Sequence, residues 1–164
     1  ATSKGHAMRR VAITLYRIDE LSEAAKASAI EHYRAHGAYA WLRESEASIH
    51  AFCAHFGAEL THYSIHAQSP LEFATNATNA NFRGVKFDPT LADYMPTGFM
   101  LDCDLWQTYT EAFKTTGSAF KAFNAGLAAG FKAWQSDLAH QDSDEYITEA
   151  LGDCEFYEDG RRAC

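Results

Sequence analysis

The 164 residues include 47% hydrophobic, 13% aromatic and 22% charged side chains, which supplies a packed core and excludes an intrinsically disordered chain. Apolar stretches are interrupted within a few residues, so none reaches the roughly 20 residues of a membrane-spanning helix. The net charge of −8 repels phosphates and anionic lipid, which excludes direct nucleic-acid binding and membrane attachment and favours a basic partner.

Residues 1–7 read as a polar leader outside the fold, and residues 8–164 as a single globular domain. The first ten residues lack the apolar centre of a secretory signal. Four cysteines, Cys53, Cys103, Cys154 and Cys164, show no paired short spacing of a zinc or dithiol site. Both features predict a reduced, cytoplasmic setting.

Residues 10–17 alternate Val11, Ile13 and Leu15 with Ala12, Thr14 and Tyr16, the pattern of a strand. Asp19 or Ser22 can cap a helix running to about His36, with Ala25, Ala29, Ile30 and Tyr33 inward and Gly37 as its stop. A second helix carries Leu42, Ser45, Ile49, Phe52, Cys53 and Phe56 on one stripe, ended by Gly57. Alternation over residues 60–67 predicts a strand buried on its Tyr63 and Ile65 face. Two short strands are expected within residues 68–100, around Leu71-Glu72-Phe73 and Val85-Lys86-Phe87.

Leu105, Trp106, Tyr109 and Phe113 share a helical face that begins near Asp102 or Asp104. Phe120, Phe123, Leu127, Phe131, Trp134 and Leu138 describe a long helix over residues 118–139, whose Gly126 and Gly130 admit close approach of another element. Ser143 can cap a last short helix, and Asp159-Gly160 signals a closing hairpin. The fold class is α+β, a small antiparallel sheet packed against four to five helices with the 118–139 helix at the centre.

Charge is unevenly distributed. Residues 1–60 carry seven acids and seven bases, residues 61–132 six and five, and residues 133–164 nine and two. The nine acids are Asp137, Asp142, Asp144, Glu145, Glu149, Asp153, Glu155, Glu158 and Asp159. They are the candidate partner-binding residues, a surface for a basic protein; the competing reading is a solvated face that maintains solubility.

Chemistry-bearing alternatives are weaker. His32 with His36, and His62 with His66, have ligand-like spacing but no third ligand in sequence. Cys53 lies near His50 and His55, yet falls on the apolar stripe, where burial keeps a thiol protonated. Asp102 with Asp104, and Asp142 with Glu145, are carboxylate pairs without phosphate-binding glycines or an orienting base. No catalytic residue, metal or cofactor is therefore assigned.

The opening segment over residues 11–34, from Val-Ala-Ile-Thr-Leu-Tyr-Arg-Ile-Asp-Glu-Leu-Ser-Glu-Ala-Ala-Lys to Glu-His-Tyr-Arg, resembles small phage and prophage proteins labelled antitoxins of toxin–antitoxin stability systems. The close, Asp144-Glu145-Tyr146-Ile147 through Cys154-Glu155-Phe156-Tyr157-Glu158-Asp159-Gly160, is similar to that group's ending; with Trp41 and residues 52–56 the likeness covers about half the chain. It implies phage origin and neutralisation of a toxin or host defence factor, with no catalytic residues. The expected function is stoichiometric binding of a basic bacterial protein through the acidic C-terminal surface. The alternatives are a DNA mimic that occupies a nucleic-acid channel, and a small metal-dependent enzyme built on His62, His66, Asp102 and Asp104. The eleven phenylalanines and three tryptophans also leave self-association open.

Overall fold

The computed structural model describes residues 8–163; residues 1–7, where a leader was expected, and Cys164 lie outside them. Two compact units emerge, one from residues 8–37 and 144–163, the other from residues 38–143. Buried apolar side chains gather in two clusters, one in each unit, where composition suggested one core. Among the described residues, five α-helices and one two-stranded antiparallel sheet give the α+β class. Among the described residues no helix is long and apolar enough to cross a membrane.

In the smaller unit, helix α1 (Glu23–His36) starts at Ser22, whose hydroxyl accepts from Ala25 N–H, and buries Ala25, Ala29 and Ile30. Helix α5 (Asp144–Ala150) buries Ile147 beside them, and Leu151 and Phe156 complete the cluster with Ile18 and Leu21. The turn at Gly160 passes so close to α1 that a β-carbon there would lie 2.2 Å from the Ala25 carbonyl oxygen, and its φ of +88° also demands glycine.

The expected strand over residues 10–17 does not form. Only Tyr16 pairs, in an isolated bridge to Phe156, while Val11 is 70% and Ile13 62% exposed. Alternation supplies a strand's side-chain pattern but not the neighbouring strand that a ladder requires. The Asp159-Gly160 turn is present, closed by Tyr157 N–H to the Arg161 carbonyl (2.8 Å) and an isolated Phe156–Arg162 bridge.

In the larger unit, α2 (Leu42–His55) buries Ser45, Ile49, Phe52 and Cys53, but Leu42, expected on that stripe, is exposed. Strands β1 (Leu60–Ser64) and β2 (Glu72–Thr75) pair antiparallel, with a register shift between Leu60 and His62. Of the two strands expected within residues 68–100, only that around Phe73 forms. Val85–Phe87 lies between 3-10 turns at Asn79–Phe82 and Pro89–Asp93.

Helices α3 (Leu101–Thr116) and α4 (Ala119–Gln141) form a hairpin turned by Gly117, in the left-handed conformation, and capped by Ser118, which accepts from Lys121 N–H. Gly126 and Gly130 bring their backbones together. A β-carbon at Gly126 would lie 2.8 Å from the Leu105 carbonyl oxygen, and one at Gly130 2.4 Å from Leu105 Cδ2. Phe52 completes the core, stacked on Phe123 with centroids 5.4 Å apart and edge-on to Trp106 at 4.9 Å. The sheet packs on α4 through Phe73, stacked 4.7 Å from Phe131, and Tyr63, 5.8 Å from the same ring.

Because the gap at Leu105 is filled, Gly126→Ala and Gly130→Ala should each destabilise the protein by about 1–3 kcal/mol, as overpacking does. Urea denaturation checks this, with Ala128→Ser on the exposed side of the same helix as a near-neutral control.

Candidate functional site

Among the nine candidate carboxylates, Asp137 and Asp142 belong to the larger unit and the other seven to the smaller. Three of those seven are drawn toward arginines. Arg34 Nη2 meets Asp144 Oδ1 at 2.6 Å, Arg17 Nη1 lies 3.8 Å from Asp153, and Arg161 Nε donates to Asp159 at 2.7 Å. Asp159 also accepts the Arg161 backbone N–H, the largest cause holding its carboxyl below the ordinary range. Exposed pairs of this kind add little stability, but they neutralise charge that the sequence count leaves free.

Glu145, Glu149, Glu155 and Glu158 are exposed and have no ion-pair partner among the described residues. Glu145 and Glu149 are one helical turn apart on α5, a like-charge spacing that costs a helix about 0.2–0.5 kcal/mol. They line a groove of about 540 Å³ with Asp144 and, from α1, Glu23, Lys26, Ala27 and Ile30. Four carboxylates thus share this groove with one lysine. Glu23 and Lys26 were absent from the sequence-derived set because α1 and α5 come together only in the fold, through the cluster that holds Ile30 and Ile147 and through the Arg34–Asp144 pair.

In the larger unit, Asp142 accepts from Tyr39 Oη at 2.8 Å, and Asp137 accepts from Gln141 Nε2 at 2.8 Å. Asp137 also lines a cleft with Trp41, Glu44 and Asp104.

The other groups singled out by spacing are placed as follows. His32 and His36 are exposed and stacked, with centroids 4.4 Å apart, and His36 Nδ1 lies 3.0 Å from the His32 carbonyl oxygen. His62 and His66 are both exposed, while Asp102 is fully buried. Among the described residues no three His, Cys, Asp or Glu side chains group as metal ligands. Cys53 is buried, and desolvation pushes its thiol up to about 11, so it is protonated at neutral pH.

Asp102 has a structural role. Its Oδ2 accepts from Thr97 N–H (3.0 Å), Thr97 Oγ1 (2.8 Å) and Gly98 N–H (3.0 Å), which fixes the loop before α3. Thr97 Oγ1 also lies 2.9 Å from Ser48 Oγ of α2.

His55 lies against Trp106, Phe56 and Tyr94, with ring centroids at 4.8, 4.9 and 5.8 Å, and desolvation there lowers its pKa below 6.5. Below 6.5 the unfolded chain takes up this proton before the native protein does, so His55 contributes stability that is complete above that value and lost as pH falls. The thermal midpoint should therefore drop between about pH 7.5 and about pH 5.5, and drop less in His55→Gln. Parallel melts of the two proteins at both pH values measure the difference.

Comparison with known proteins adds no relative: no family model, no curated protein and no solved structure matches the chain.

Proposed function

We propose that this protein acts by stoichiometric binding of a basic bacterial protein, in the manner of the phage antitoxins that its ends resemble, with the α1–α5 groove as the docking surface. The observation that carries the reading is the groove itself, where Glu23, Asp144, Glu145 and Glu149 stand with one lysine. The Glu145–Glu149 repulsion works against α5, and among the described residues neither carboxylate is ion-paired, although Lys26 lines the same groove. A basic partner supplies the missing counter-charge and gains steering from the same field.

The DNA-mimic alternative fits less well. It requires an extended row of free carboxylates, and Arg34, Arg17 and Arg161 interrupt the series at Asp144, Asp153 and Asp159.

Purification of the protein with its retained partners from expressing bacteria, at low and high salt, tests the proposal. One basic protein should be retained near equal stoichiometry at about 0.1 M salt, where charges are felt over about 10 Å, and released as salt approaches 1 M. The Glu23→Gln/Glu145→Gln/Glu149→Gln variant should fold normally, since all three side chains are exposed, and should lose that protein. Retention indifferent to both salt and the triple substitution, or retention of no basic protein, overturns the reading.

A further inference from the structure

The cleft that Asp137 enters has a volume of about 350 Å³ and is wholly within the larger unit. It is at the small end of ligand sites, which span about 300–1,000 Å³, so it accommodates one side chain or a small molecule rather than a nucleotide. Its apolar lining is Trp41, Phe99, Met100, Leu101, Ala133 and Trp134. Its charged lining is Glu44, Asp104 and Asp137, with no lysine, arginine or histidine. Asp104 is partly desolvated there, which raises its carboxyl above the ordinary range.

Trp41 stands out on two counts. It has φ +66° and ψ +17°, the one left-handed non-glycine residue described, and it is 65% exposed. A left-handed residue with a bulky side chain is strained, and an exposed indole recovers little of that through burial. Met100, which also lines the cleft, is 87% exposed. Neither residue is explained by the core.

Both walls are nevertheless held firmly. Gln141, buried at the end of α4, accepts from Ala40 N–H (2.7 Å) and donates to the Ala40 carbonyl (3.2 Å) and to Asp137 (2.8 Å), which fixes the residue before Trp41 and one of the carboxylates. Asp102, 0% exposed, fixes Thr97 and Gly98 at the other wall through its three hydrogen bonds, although its Oδ1 is left without a partner. Two buried polar side chains are thus committed to positioning the backbone beside the cleft. A site so prepared loses little freedom on binding.

We infer that this cleft is a binding site for the guanidinium group of an arginine side chain on a protein partner. A guanidinium is planar and permanently charged; it stacks on an indole face and offers its edge to carboxylates in pairs, whereas an ammonium is a strongly hydrated point charge. Its aliphatic stem suits the Phe99, Met100 and Ala133 lining. The partner type rests on the protein-binding reading above, but the cleft shares no residue with the α1–α5 groove, so the two stand or fall separately.

The test is a titration of the ¹⁵N-labelled protein with acetyl-Gly-Arg-Gly-amide, following the indole N–H signals of Trp41 and Trp134, with the citrulline and lysine peptides in parallel. The arginine peptide should saturate in the millimolar range or below and shift both indoles. Citrulline, the same shape without charge, should bind at least about tenfold more weakly, as expected when charge-assisted hydrogen bonds are lost. Lysine should fall between them.

Glu44→Gln/Asp104→Asn should abolish the preference for arginine over citrulline. Trp41→Gly should weaken the arginine peptide at least about tenfold while its melting temperature stays the same or rises, since glycine accepts this backbone conformation without strain. The Glu23→Gln/Glu145→Gln/Glu149→Gln variant should bind the peptide like the parent, which separates failure of this site from failure of the groove. Equal binding of arginine and citrulline, no shift at Trp41 and Trp134 at millimolar peptide, or full binding by Trp41→Gly overturns the assignment.

Discussion

Close contact between α3 and α4 at Gly126 and Gly130 is the constraint on which the larger unit depends. With no β-carbons at those positions, the two backbones approach until Leu105 fills the space between them, and Phe52 and Ile49 of α2 reach the same glycines. Any bulk there would part the helices and open the aromatic cluster around Phe52 and Trp106, whose interior has little room for adjustment. Within that cluster Trp106 Nε1 and Tyr109 Oη are buried and meet no protein hydrogen-bond partner.

The helix hairpin also determines where binding chemistry can sit. A two-residue turn at Gly117 and Ser118 makes α3 and α4 antiparallel, so the start of α3 and the end of α4 share one end of the hairpin. Asp102 is in the first turn of α3, and Gln141 is the last residue of α4. From that end each reaches a neighbouring segment, Thr97 and Gly98 in one case and Ala40 in the other. The cleft is therefore a consequence of the same packing that builds the core, and its walls inherit the rigidity of that core.

Much of this fold was legible in the sequence, and the exceptions have identifiable causes. Helices announce themselves through local chemistry: Ser22 and Ser118 cap, Gly117 stops, and the Phe123–Leu127–Phe131–Trp134 spacing marks the inner face of α4. Strands depend on partners that sequence does not name, so residues 10–17 show the pattern without the ladder, and Val85–Phe87 lies between 3-10 turns. Charge could be counted but not paired, because Arg34 and Asp144 are 110 positions apart. The cleft was invisible for a similar reason: it draws on residues 41–45, 98–104 and 133–137, and nothing in the residues around Trp41 signals a left-handed backbone there.

The two acidic features differ in what their surroundings let them do. Carboxylates of the α1–α5 groove are exposed, where each ion pair is worth little and salt erases it, so in the proposed docking they would act on the rate and direction of encounter more than on its lifetime. In the cleft, Glu44, Asp104 and Asp137 stand beside indole and thioether groups, and the partial desolvation of Asp104 strengthens its attraction for a cation. A protein that recognised its target through the groove alone would bind basic surfaces in general. Discrimination among basic proteins requires shape next to charge, and within the larger unit that combination is found where Trp41 is held against its backbone preference.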